Sequence, residues 1–298
     1  MSNFKKRIVY KLNRMGVLNV LSDKAYVKLM YKTNFGKKLN LEDPKTYNEK
    51  LQWLKLYNRD PKYSRLVDKY EVKDYVAKVI GEEYIISTLG VWEKFDDIDF
   101  NSLPNQFVIK CTHDSGGLVI CKDKSKFNLD KAKAKIEKSL KTNYYKLGRE
   151  WPYKNVKPRI IAEEYMEDKE TEELRDYKFF AFDGEAKAVF IATDRQIENE
   201  ETKFDFFDME YNHLPFTNGH PNAKVIPKKP ANFDKMKELA GKLSKGIPQA
   251  RVDFYEVNGK VYFGEITFFH WGGLKPFNPE EWDYTFGSWI KLPERKMK

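Results

Sequence analysis

The chain has 298 residues and a net charge of +9, long enough for one large domain or two to three lobes, and its 15% aromatic content excludes a disordered chain. No apolar run reaches the roughly 20 residues of a bilayer span, and no apolar segment of signal-peptide type follows the basic stretch Met1 to Arg7, so a secretory signal is not expected. Two cysteines, Cys111 and Cys121, lack metal-ligand spacing with the four histidines, which fits a reduced, cytoplasmic setting. The lysine excess favours acidic partners: nucleotides, anionic polysaccharide, or peripheral contact with the inner face of an anionic membrane. Nucleic acid is not expected, because no recognisable binding module occurs.

In the first segment Phe4, Ile8, Leu12 and Met15 recur at helical spacing beside Lys5, Lys6, Arg7, Lys11 and Arg14. This predicts a basic amphipathic helix, docked on its own protein or lying on a membrane. Residues 1 to about 60 read as helical, and the stripe Tyr47, Leu51, Leu54 ends at Arg59-Asp60-Pro61. A further helix is expected from Leu66 to Ile80, with Gly81 as a left-handed terminating residue. Strands follow at Gln106 to Thr112 and Leu118 to Lys122, then a lysine-rich helix from about Leu129 to Tyr144. Arg159 to Met166 reads as a strand; Tyr177 to Phe182 pairs with Glu185 to Thr193 through Asp183-Gly184; Asn232 caps a helix that runs to Gly246. Hairpins outnumber βαβ units, which predicts an α+β protein with antiparallel sheets.

The strongest chemical signal is the pair Arg251-Val-Asp-Phe-Tyr-Glu-Val257 and Val261-Tyr-Phe-Gly-Glu-Ile-Thr-Phe268 around Asn258-Gly259-Lys260. A two-residue turn would set Asp253 opposite Gly264. A three-residue loop with Gly259 as a bulge residue pairs Asp253 with Glu265, and is expected because it gathers Val252, Phe254, Ile266 and Phe268 on one apolar face. Arg251, Asp253, Tyr255, Glu265 and Thr267 then share the other face. Two carboxylates side by side need compensation, by a divalent cation with phosphate oxygens or by Arg251. With metal as the compensation, neutralising either acid should not lower apo stability.

Lys110 ends an apolar strand directly before His113-Asp114-Ser115-Gly116-Gly117, a loop that suits either phosphate contact or plain turn chemistry. Ile160 to Met166 turns from apolar residues into Glu163-Glu164-Tyr165 and suits an edge whose backbone reads a purine, or an ordinary strand end. Lys178 opens the next strand, and Lys69 follows Asp68.

In this order the words Asp68-Lys69-Tyr70, Leu103-Pro104, Gln106 to Lys110, His113 to Gly117, Pro158 to Tyr165, Asp176-Tyr-Lys178, Arg251-Val-Asp253 and Phe263-Gly-Glu265 resemble the ATP-grasp superfamily, and more closely its TupA-like branch, over about Asp68 to Thr267. The resemblance implies an ATP-grasp fold, with two antiparallel lobes sandwiching ATP: a helical region 1–65, then an ATP-grasp domain 66–298 with a lid lobe at about 105–160 and a metal-binding lobe at about 161–298. It implies Lys69 and Lys110 on phosphates and His113, Ser115, Gly116 and Gly117 in a flap over them. Adenine would lie at Glu163, Glu164, Tyr165 and Met166, and Mg²⁺ on Asp253 and Glu265. Many members carry Glu-x-Asn where this chain has Glu265-Ile-Thr267, so Thr267 stands at the third ligand position.

The branch is associated with teichuronopeptide and other cell-surface polysaccharide or capsule synthesis, and its members are often labelled glycosyltransferases. The expected activity is an ATP-dependent ligase joining an amine, such as an amino acid, to the carboxylate of a uronic acid or other acidic saccharide, with Arg251, Lys110 and Lys178 as catalytic residues. A sugar kinase with Asp176 or His270 as base, a glycosyltransferase and a non-catalytic scaffold are the alternatives. His270-Trp271-Gly272-Gly273 would either floor the acceptor pocket or place a core tryptophan beside a turn.

Overall fold

The structure is a computed structural model that describes residues 3–169, 174–194 and 201–295. Its helices, among the described residues, are α1 (Asn3–Arg14), α2 (Asp23–Phe35), α3 (Tyr47–Tyr57), α4 (Lys62–Val67), α5 (Val72–Val79), α6 (Leu129–Leu140), α7 (Tyr144–Gly148), α8 (Phe233–Ser244) and α9 (Glu281–Trp289). β1 (Thr88–Trp92), β2 (Phe107–Cys111), β3 (Leu118–Cys121) and β4 (Ile160–Glu164) form a four-stranded sheet ordered β1-β4-β2-β3. β5 (Asp176–Phe182), β6 (Glu185–Thr193), β7 (Lys203–Phe207), β8 (His213–Leu214), β9 (Ala250–Val257) and β10 (Lys260–Thr267) form a six-stranded sheet ordered β10-β9-β5-β6-β7-β8. These pairings are antiparallel, as a hairpin-rich α+β chain requires.

Each sheet buries its own core. Phe107, Ile109, Ile160 and Ala162 of the smaller sheet pack with Ala132 and Ile136 of α6. Phe179, Phe180, Phe190, Phe206, Val252 and Phe254 of the larger sheet pack with α8 and with the N-terminal helices, so α2 and α3 share one core with the six-stranded sheet. That union is locked at α9. The Asn48 amide donates to Asp283 Oδ1 at 2.9 Å, Lys50 Nζ donates to the Gly287 and Ile290 carbonyls at 2.8 Å each, and Gly287 lets the two backbones touch. A Cβ there would lie 2.3 Å from the Lys45 carbonyl oxygen.

The central hairpin reaches its register by another route than the three-residue loop. Asn258 (φ 50°) and Gly259 (φ 75°) make a two-residue turn, with Val257 opposite Lys260. Simple alternation from there would pair Asp253 with Gly264 and send Glu265 to the apolar side. A bulge between Phe263 and Glu265 shifts the ladder by one, and Glu265 comes opposite Asp253. Gly264 suits that spot, where an added Cβ would stand 3.1 Å from the Asp253 carbonyl oxygen. Val252, Phe254, Ile266 and Phe268 are buried as expected.

Three other features differ from expectation. The helix expected over 66–80 is broken into α4 and α5, because the Asp68 carboxylate accepts from the Tyr70 and Glu71 amides and starts α5 anew; Gly81, at φ 120° and ψ 155°, is not left-handed helical. The lysine-rich helix ends at Leu140, and Asn143 caps a separate α7 through the Lys146 amide. Asn232 stands at the N-cap position of α8 as expected, but its side chain makes no cap bond; its amide donates to Glu256 and to the Gly259 carbonyl instead.

These packing differences set a stability order. Gly287→Ala should cost about 1–3 kcal/mol through overpacking against backbone. Gly259→Ala, with nothing within 4 Å but a positive φ, should cost about 1 kcal/mol. Urea denaturation of both variants checks this, and a harmless Gly287→Ala would contradict the close helix contact.

Candidate active site

The polar face of β9 and β10 holds both carboxylates around one guanidinium. Arg251 Nε donates to Asp253 Oδ1 at 2.7 Å, and Nη2 donates to Asp253 Oδ2 (2.8 Å), Glu265 Oε1 (2.8 Å) and Thr267 Oγ1 (3.0 Å). Lys178, brought opposite Asp253 by the pairing of β5 with β9, also contacts Asp253 Oδ2 and lies 3.2 Å from Asp176. Asp253 is 1% exposed, whereas the Glu265 side chain, deep in the cleft, keeps 38% of its surface open. Burial would raise the Glu265 pKa, but the charges of Arg251, Lys69 and Lys178 outweigh it and hold the group at about 2. Repulsion between the acids is therefore already cancelled by protein cations. Among the described residues no three His, Cys, Asp or Glu side chains converge as a metal cluster.

A second charge cluster lies on the smaller sheet. Glu163 on β4 receives Lys110 of β2 at 2.5 Å and Lys73 of α5 at 2.7 Å. Burial acts against the charge of Glu163, yet the two ammonium groups keep its pKa below the usual carboxylate value. Lys73 is the partner that sequence reasoning missed; no local pattern sets it apart from the many other lysines, and only the packing of α5 on β4 brings it to Glu163. Glu164, exposed, ends β4, half-buried Tyr165 and Met166 follow it, and the Tyr165 hydroxyl donates to Glu167 at 3.2 Å.

The loop between β2 and β3 is tied down by its own acid. Buried Asp114 accepts from the Gly117 amide and from Ser139 of α6, and Gly117 fits beneath the Ser139 and Cys111 side chains. The Gly117 amide is thus engaged, and the exposed tip consists of Ser115 and Gly116. His113 is 4% exposed, with neither ring nitrogen hydrogen-bonded. Lys69, at the break between α4 and α5, donates to the Asp114 carbonyl. Burial lowers its pKa and Glu265 acts against that, so its ammonium links the loop to the acid pair electrostatically.

Lys69, Lys178, Arg251, Glu265 and Thr267 line one cleft of about 1140 Å³, closed on its other sides by Tyr144, Glu150 and Tyr153 and by His270 to Gly272. Glu150 and the two tyrosines carry no motif and were invisible in the sequence. Burial raises the Glu150 pKa, with Lys55 and Arg251 opposing. Trp271 lines this cleft and is 41% exposed. His270 cannot serve as a base: its Nδ1 lone pair accepts from Arg251 Nη1 at 3.0 Å, so Nε2 donates to Asn218 Oδ1 at 3.0 Å. Burial, with Arg251 and Lys178 nearby, keeps the ring neutral.

A family model described as TupA-like ATPgrasp matches residues 49–291. No curated protein matches the chain. Solved structures similar to it include a D-alanine–D-alanine ligase from Bacillus anthracis complexed with ATP, at 17% identity, with a TM-score of 0.41 over 68% of this chain and 55% of that one. The ATP-grasp ligase PsnB, complexed with a phosphomimetic variant of its minimal precursor, Mg and ADP, is 11% identical, with a TM-score of 0.43 over 73% of this chain and 56% of that one. A D-alanine–D-alanine ligase from Helicobacter pylori is 15% identical, with a TM-score of 0.41 over 76% and 60%. The chain thus spans between 55% and 60% of the length of these structures.

The ion-pair geometry reverses the expectation for neutralising the acids. Asp253→Asn strips Arg251 and Lys178 of a buried partner and should lower apo stability by about 3 kcal/mol; Glu265→Gln, at the open side, should cost less. Thermal and urea melts without nucleotide measure both. An unchanged or raised stability for Asp253→Asn would mean that carboxylate repulsion dominates after all.

Proposed function

Since the chain belongs to the TupA-like ATP-grasp family, matched over residues 49–291, we propose that it is an ATP-dependent ligase joining an amine to a carboxylate through an acyl-phosphate. The observation that carries this reading is the single cleft in which Lys69, Lys178 and Arg251 surround Glu265. Such an array neutralises charge on a transferring phosphoryl group without a protein nucleophile.

In the first step a substrate carboxylate oxygen bonds to the γ-phosphorus of ATP, the bond from that phosphorus to the bridging oxygen breaks, and ADP leaves. Lys69 and Lys178 face the developing charge. Ser115 and Gly116 at the loop tip offer backbone amides to phosphate, with Gly117 and His113 shaping the loop from beneath. Lys110 reaches phosphate by exchanging its bond with Glu163. Adenine would lie along Glu163, Glu164, Tyr165 and Met166. Arg251, whose donors are committed to Asp253, Glu265, Thr267 and His270, acts as a positioning residue for the acids. In the second step the neutral amine nitrogen attacks the acyl carbon, the bond from that carbon to the phosphate oxygen breaks, and the departing phosphate takes up the proton that the nitrogen gives up.

The donor set tests Mg²⁺ directly. Carboxylate and hydroxyl oxygens suit this ion. Both oxygens of Asp253 are held by cations, while the bonds of Glu265 use Oε1. Glu265 through Oε2 would therefore be the first ligand, with Asp253 joining when Lys178 shifts toward phosphate and Thr267 holding Glu265 in place. When bound, the ion would supply further neutralisation of the ATP oxygens.

For the acceptor we favour a uronic acid or other acidic saccharide of cell-surface polysaccharide synthesis. An exposed Trp271 offers a stacking face for a sugar ring, and the cation-lined cleft suits its carboxylate. The incoming ammonium, of an amino acid or other small amine, would meet Glu150 across the cleft.

The deciding assay incubates the protein with ATP, Mg²⁺ and a panel of uronic acids and amino acids, following ADP, phosphate and product mass. An amide mass formed with ADP and phosphate supports the ligase, whereas a sugar phosphate would establish a kinase instead. Calorimetry should show ATP binding in Mg²⁺; tight UDP-sugar binding without ATP binding would overturn the proposal. Lys110→Ala should weaken ATP binding by about 1.5–3 kcal/mol, read in the same titration.

A further inference from the structure

The helix α1 has two working faces. Val9, Tyr10 and Leu12 pack against the core, the Tyr10 hydroxyl donates to Asn34 Oδ1 at 2.7 Å, and Asn13 Nδ2 donates to the Leu147 carbonyl at 3.4 Å. These contacts fix the helix on the protein. Phe4, Ile8 and Met15 are nevertheless exposed, Phe4 at 72% and Met15 at 67%. At 3.6 residues per turn the three fall within an arc of roughly 40°, pointing away from the docked side. Val17 and Val20, just beyond, are exposed as well. Large apolar side chains are scattered singly on most protein surfaces, whereas this concentration in one short segment marks a binding face.

Charge selects what covers it. The helix Asn3–Arg14 contains Lys5, Lys6, Arg7, Lys11 and Arg14 and no acidic residue. Lys11 borders the apolar stripe, and Arg7 and Arg14 follow on the same side of the helix. A second copy of a chain at net +9 would bring like charge against this face. An anionic lipid surface offers the complement, with headgroups for the cations and an apolar boundary for the rings and methyls. The inner side of the same helix matters too, since Lys6, Tyr10 and Asn13 line the catalytic cleft. Helix diameter, about 10–12 Å, is then the spacing between apolar stripe and cleft wall.

We propose that α1 seats the protein on an anionic membrane surface through Phe4, Ile8 and Met15 with Lys11, Arg7 and Arg14 on headgroups, and so holds the cleft beside the lipid. The seating stands independently of the ligase reaction. The consequence for substrate delivery, that an acidic saccharide would enter from the lipid side, rests on that reading.

The test is co-sedimentation of the full chain with vesicles of 70:30 phosphatidylcholine and phosphatidylglycerol, and with pure phosphatidylcholine, at about 0.1 M salt, where screening is moderate. Partition into the anionic vesicles should be at least tenfold stronger than into the neutral ones. The double substitution Phe4→Asp and Ile8→Asp should remove at least nine-tenths of it, and Lys11→Glu with Arg14→Glu should abolish the anionic preference. Unchanged melting temperatures would show that the variants fold, since these side chains are exposed. ATP binding by the free protein reads the catalytic proposal separately. Equal partition into both vesicles, none into either, or partition untouched by Phe4→Asp and Ile8→Asp would overturn the seating. So would a concentration-dependent dimer that the same substitutions dissociate.

Discussion

Two carboxylates cannot face one another on adjacent strands unless something cancels their repulsion, and the cleft depends on how this chain does it. One guanidinium spans Asp253 and Glu265, with Lys178 adding a second cation on the buried acid. The gain is positional: Glu265 stays ionised while its side chain keeps 38% of its surface open, and burial together with the same arginine keeps His270 neutral. A charge array built in advance would cost little reorganisation if phosphoryl charge develops there, as the proposed reaction requires.

The smaller sheet repeats the device with opposite stoichiometry. There one buried glutamate holds two lysines, and Lys69 stands between the clusters, coupled to Glu265 and to Lys110. Phosphates entering between the sheets would compete with Glu163 for Lys110 rather than meet an idle cation. Nucleotide binding of this kind is an exchange of ion pairs, so its net strength is smaller than a count of lysines suggests.

The cleft is also finished by elements far from either charge cluster. Residues of α1, α7 and the turn after α7 wall one side of it, and α3 and α9 hold the N-terminal helices onto the larger sheet. Lys55, buried on α3, bonds the carbonyls of Gly148 and Gly272. It thereby joins the wall bearing Glu150 to the floor bearing Trp271.

The sequence by itself determined the antiparallel α+β class, the strands β2 to β6, β9 and β10, the family words and the face shared by Arg251, Asp253, Glu265 and Thr267, because alternation at period two and Asn-Gly or Asp-Gly turns are local codes; it did not mark β1, β7 or β8. It could not show that the shared face arises from a two-residue turn corrected by a bulge at Gly264, since both routes satisfy the same apolar pattern. Nor could it show that Arg251 and Lys178 already neutralise the acids, that Lys73 completes the Glu163 cluster, or that His270 is committed to Arg251. Glu150, Tyr144 and Tyr153 left no trace at all. These outcomes hinge on distances between residues remote in the chain, and only the packing of two sheets and the N-terminal helices around one cleft decides which charges meet.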